Sequence, residues 1–136
     1  MPKEARYLIR TSLVYLAAAL LAWMITPLSS LLGLQTGLSL HVTALHLFTV
    51  GWLTQLIFGV AFWLFPAPSR SARYGKRSLV WLTYALMNVG LLLRAAIEPF
   101  GISDAPQAWG LATSAVLQWL GVLLFVAYIW PRIKQK

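Results

Sequence analysis

The sequence predicts an all-α integral membrane protein, a four-transmembrane-helix bundle with both termini cytoplasmic. Three observations carry that reading. First, the 136 residues are 60% hydrophobic and only 10% charged, with a mean hydropathy of +0.73, too apolar for a soluble domain of this size. Second, the apolar residues gather into four runs, each near the roughly 20 residues that a helix needs to cross the hydrocarbon core. Third, the basic residues sit in short clusters between those runs. That is how membrane flanks look, and it argues against nucleic acid as a partner despite the net charge of +8. The bilayer is the first partner, and residues 1–136 read as a single transmembrane domain.

The first helix is expected over about 7–26, behind the basic amphipathic lead-in MPKEARYLIR. It is too long for a signal-peptide core, and the run closes on Met24-Ile25-Thr26-Pro27 with no small-residue cleavage site, so a retained helix is expected. The uncharged PLSSLLGLQTGLS reads as a short connection. The second helix is expected over about 40–65, halted by Pro66 and Pro68, and its apolar length calls for tilt. A loop with Arg70, Arg73, Lys76 and Arg77 follows. The third helix spans about 79–97 and contains Asn88 and Arg94. The connection EPFGISDAPQ precedes a fourth helix over about 108–130, closed by Pro131.

Orientation follows from the distribution of Lys and Arg. The N-terminal tail, the middle loop and the C-terminal tail hold every basic residue except Arg94, while the other two connections hold Glu98 and Asp104 and no cation. By the positive-inside rule both termini face the cytoplasm, in the cytoplasmic membrane of a prokaryote. The aromatic residues agree: Trp63, Trp81, Tyr128 and Trp130 fall near inner helix ends, and Trp23 and Trp109 near outer ones.

Both histidines of the chain, His41 and His46, lie on the second helix. On a regular α-helix, positions five apart point about 140° apart and differ by about 7.5 Å in depth, so the two cannot ligate one metal together. The wheel gives His46 a face with Val50, Leu53, Ile57, Val60 and Leu64. The opposite face carries Gly51, Gln55 and Gly59 and suits close helix packing. An imidazole set in an apolar stripe suits the iron of a haem, which needs an axial nitrogen and walls that exclude water. An interhelical hydrogen bond explains His46 equally well, although an intramembrane ionisable residue is a functional candidate by default. His41, at the outer mouth of the helix, is the second candidate metal ligand, and interfacial solvation accounts for it without ligation. With no cysteine, covalent c-type haem, iron–sulfur clusters and thiolate metal sites are ruled out. On the third helix, Arg94 either pairs with haem propionates or snorkels to Glu98 at i+4. Asn88 and Gln118 are expected to bond between helices, and Gly110, Ser114 and Gln118 to mark a close-packed stripe on the fourth helix.

The segment HLFTVGWLTQLIFGVAFWLFPAPSR resembles the second transmembrane helix of subunit I of the haem-copper oxidase and nitric oxide reductase superfamily. There a histidine early in the helix binds the low-spin haem, and a Leu/Phe-Pro step closes the helix before a basic loop. The matching position is His46, followed by Thr54-Gln55, Gly59 and Phe65-Pro66. The resemblance implies a haem b ligated by His46 and places that residue toward the outer side, as the charge distribution also does. It covers one helix of the four, and the copper-centre histidines of that family have no counterpart here, so oxygen reduction at a binuclear centre is not expected.

A stripped haem carrier needs a sixth ligand. His46 of the partner subunit in a twofold homodimer is the arrangement that symmetry favours. Others are His41 of a partner, a thioether from Met24 or Met87, or an open position that binds a gas. The resulting expectation is a membrane b-type haem protein acting in electron transfer or in gas or redox sensing, with a redox partner or respiratory complex nearby. A haem-free structural or assembly subunit of such a complex and a small four-helix transporter are the competing readings. The transporter lacks the intramembrane carboxylate that coupling requires, and no acid–base pair or nucleophile for enzymatic turnover is visible.

Overall fold

The computed structural model describes residues 1–33, 40–65, 77–101 and 104–133. Pro66, Pro68, the cations Arg70, Arg73 and Lys76 of the middle loop, and the tail beyond residue 133 lie outside them. Four helices account for the regular structure, and no strand occurs among the described residues. They are α1 (Lys3–Leu31), α2 (Leu40–Leu64), α3 (Arg77–Ile97, continued by a 3₁₀ turn Glu98–Phe100) and α4 (Ala105–Ile133). Each is long and apolar enough to cross a membrane, as an integral membrane protein requires.

The ends of the helices differ from the sequence expectation for local reasons. α1 runs through Pro27 to Leu31, since a proline is tolerated within a membrane helix, and the hydroxyls beside it bond neighbouring backbone carbonyls. Here Thr26 donates to Ala22 O at 3.4 Å and Ser29 to Thr26 O at 2.9 Å. The helix stops at Gly33, whose φ of 66° a side chain would resist. α4 begins at Ala105 because Asp104 caps it, its carboxylate accepting from the Gln107 amide at 3.0 Å. Its last turn carries Pro131 and ends at Ile133. α2 ends where Phe65 turns extended, as a residue before proline must.

α1 packs along α2, and α3 along α4, as two antiparallel hairpins that meet where α2 lies against α3. Glycine sets the closest approaches. A Cβ on Gly51 would stand 2.7 Å from Tyr15 Cγ and 2.9 Å from Leu91 Cδ2, and one on Gly59 would stand 3.2 Å from Ala5 O. Between α3 and α4, Gly90 lies against the Ser114 carbonyl and Gly121 against Met87. At the end that carries the termini, Phe58 stacks on Phe125 at 3.7 Å and Phe62 meets Tyr128 edge-on at 4.9 Å. Arg132 closes this end by donating to Phe65 O at 3.0 Å while lying over the Tyr128 ring.

Midway along the bundle, Asn88 ties three helices together. Its Oδ1 accepts from Tyr15 at 2.8 Å, and its amide exchanges bonds with that of the fully buried Gln55 at 3.3 and 3.4 Å. One step nearer the termini, Thr11 bonds the Tyr84 hydroxyl at 2.8 Å. The lipid-facing surfaces are lined by exposed Leu, Val and Ile, which a bilayer would cover.

α2 is not a regular α-helix. Residues Leu47–Thr54 form a π-helix, in which bonds close over five residues instead of four. Thr54 Oγ1 accordingly donates to Thr49 O at 2.9 Å. The longer turns rotate His46 away from the stripe that a uniform wheel assigns it. Leu53, Ile57, Val60 and Leu64 remain on the exposed side, whereas His46 turns toward α3.

Because nothing gives way easily around Gly51, Gly51→Ala is predicted to lower stability by about 1–3 kcal/mol through overpacking. Gly110→Ala, which meets only the movable end of Ile97, should stay within about 0.5 kcal/mol of the parent. Thermal unfolding of the two variants in detergent micelles checks the difference.

Candidate functional site

His46 is the last residue of the α-helical start of α2, one position before the π-helical stretch. Across from it, α3 ends in Arg94 and, one turn on, in Glu98 at the head of the 3₁₀ turn that Pro99 opens. The three side chains converge. His46 Nδ1 lies 3.1 Å from Glu98 Oε2 and 3.0 Å from Val42 O. Arg94 Nη1 lies 3.3 Å from Glu98 Oε1 and 3.4 Å from His46 Nε2.

These contacts fix the tautomer. Both neighbours of Nδ1 are acceptors, so Nδ1 carries the proton and donates; a guanidinium only donates, so Nε2 carries a lone pair. The carboxylate thus holds the ring on one side and neutralises the arginine on the other. The three side chains are 29% (His46), 17% (Arg94) and 12% (Glu98) exposed, sheltered enough for the pairing to matter.

α4 supports the arginine from behind. Arg94 Nε donates to Ser114 Oγ at 3.3 Å, as does Gln118 Nε2 at 3.1 Å, while the serine hydroxyl itself donates to Gly90 O at 2.8 Å. Ser114 thereby spends its one proton and accepts twice, with no capacity left over. Asn88 makes bonds between helices, whereas Gln118 bonds within its own.

The other predicted residues separate from this group. Val50 is half-buried between the two apolar clusters of the core, and Leu53 lies on the exposed stripe with Ile57. His41 is exposed, its ring 6.5 Å from that of Trp23. Met24 is exposed near the end of α1, and Met87 is buried against Gly121. Sequence reading assigned Glu98 only to Arg94 and missed its bond to His46. The signal was available: Glu98 stands within one turn of Arg94 at the end of the bundle to which charge counting assigns His46.

Chemically, an imidazole whose Nδ1–H is held by a carboxylate and whose Nε2 keeps its lone pair has the posture of a metal ligand. No group of three or more His, Asp or Glu side chains suited to a metal ion occurs among the described residues. Any metal at Nε2 would therefore have to bring most of its ligands with it. No protein-family profile, curated protein or solved structure matches the chain.

Removing Glu98 strands a sheltered guanidinium. Glu98→Ala is predicted to cost about 3 kcal/mol, and the double variant Arg94→Met/Glu98→Met to recover most of that loss, because a missing partner costs more than a missing pair. Unfolding of the single and double variants in mixed micelles measures it.

Proposed function

We propose that this chain is an integral membrane b-type haem protein, with His46 Nε2 as axial ligand and a role in electron transfer or in gas or redox sensing. The observation that carries the reading is the bond from His46 Nδ1 to the Glu98 carboxylate, since ligating histidines commonly donate their second nitrogen in this way. In support of it, Nε2 offers the lone pair and Arg94 offers a guanidinium for a propionate. The resemblance of the α2 segment to the haem-bearing second helix of the oxidase and reductase superfamily points the same way.

A haem supplies a one-electron iron couple and a position for a small gas. What the chain contributes is orientation. Glu98 and Val42 O fix the imidazole plane. Arg94 Nη1, 3.4 Å from Nε2, would have to move for that nitrogen to ligate, while Ser114 could keep its Nε in place. In this reading a homodimer would hold the group between His46 of each chain.

The satisfied His46–Arg94–Glu98 network also supports a second reading, in which it is a structural lock in a haem-free subunit of a respiratory membrane complex. An optical spectrum separates the two. The haem reading predicts a strong absorption band that His46→Ala abolishes and a haem affinity that Glu98→Gln lowers by about 10- to 100-fold. A colourless protein that takes up no added haem refutes it and favours the structural one.

The orientation proposed from charge has both termini in the cytoplasm of a prokaryotic cell. The chain has no cysteine of its own, which makes single-cysteine labelling direct. Ala105→Cys is expected to react with an impermeant maleimide on intact cells, and Lys3→Cys only after lysis.

A further inference from the structure

We propose that the first turns of α1 bind the phosphate of an anionic phospholipid, whose acyl chains then lie along the same face of the helix. Lys3, Arg6, Tyr7 and Arg10 recur at three- and four-residue steps and therefore share one side of α1. They line a groove of about 240 Å³. The opposite side, with Ala5, Leu8, Ser12 and Tyr15, is buried in the bundle.

The groove is cationic without compensation. Lys3, Arg6 and Arg10 are exposed, and none of them forms an ion pair among the described residues. Glu4, the nearest acid in sequence, is buried and does not line the groove.

Two features fix the kind of anion. The Tyr7 ring lies 5.4 Å from Trp81 of α3, and Trp81 meets Tyr84 edge-on at 5.9 Å. Tyrosine and tryptophan concentrate at headgroup depth, so the cations stand where lipid phosphates are. The same helical stripe continues through Val14, Ala17 and Leu21, all exposed and all apolar. A basic stretch that passes directly into an apolar one on one helix face matches a molecule with an anionic head and a hydrocarbon tail. Free phosphate would use only the first half.

Titration of the delipidated full chain with phosphatidylglycerol, followed by native mass spectrometry, tests this. One saturable phosphatidylglycerol per chain is expected, with phosphatidylcholine retained far more weakly. Arg6→Gln/Arg10→Gln should weaken binding about 25-fold, taking about fivefold for each cation removed. Arg6→Lys/Arg10→Lys should largely restore it, and circular dichroism should find both variants helical. Arg70→Gln/Arg73→Gln removes the same charge at another point of the sequence and should leave the affinity within about twofold. Equal retention of phosphatidylcholine, an equal loss in both glutamine pairs, or displacement of the lipid by equimolar inorganic phosphate would overturn the proposal.

Discussion

The constraint on which the structure depends is that a polar group inside a bilayer has no water to turn to. Such groups take their partners from the bundle, several of them between helices, and among the described residues only Trp23 Nε1, Thr43 Oγ1 and Thr83 Oγ1 are buried without one. Asn88 serves Tyr15 and Gln55, Ser114 serves Arg94 and Gly90, and Glu98 serves both His46 and Arg94. Apolar packing against lipid gains little, since lipid tails are as apolar as leucine. Register between the two hairpins is therefore set by these few polar contacts and by the glycines that let backbones close up.

That division of labour accounts for the π-helical stretch of α2. Gly51 must meet Tyr15 and Leu91 closely, Gln55 must face Asn88, and His46 must reach Glu98. A regular α-helix cannot present positions 46, 51 and 55 to these neighbours with the phase observed. Lengthening the turns between them lets it do so. The longer turns link the packing side of α2 to the candidate site: the histidine's direction and the glycine contacts are two results of one irregularity.

Much of the fold was legible because it rests on composition. Four runs of sufficient apolar length, separated by glycine, proline and charge, gave four helices whose bounds needed adjustment chiefly at prolines. Pro27 and Pro131 read as stops and proved to lie inside helices, since proline breaks a helix less decisively in a membrane span than in water. Asp104-Ala-Pro-Gln107 carried a legible capping signal for an earlier start of α4. The site was half legible. His46 and Arg94 stood out as intramembrane ionisable residues and the Arg94–Glu98 pair as an i,i+4 contact, but the meeting of His46 with Glu98 depends on the π turns, which no hydrophobic period reveals. The wheel therefore grouped His46 with Val50 and Leu53, which the actual helix separates from it.

The same logic explains how a chain with a net charge of +8 keeps its interior neutral. Of the three acids, Glu4 is buried and Glu98 is nearly so, while Asp104 caps α4. All three are committed to internal or capping contacts. A buried carboxylate is tolerable only when paired, and Glu98 has two donors, one cationic and one neutral. The cations have no such limit, because a Lys or Arg at a helix end reaches water or headgroups through its own flexible stem. Acids drawn inward and cations left at the ends produce the excess of positive charge at the surface that carries the termini. The charge asymmetry of the surface and the neutrality of the candidate site thus come from the same scarcity of carboxylates.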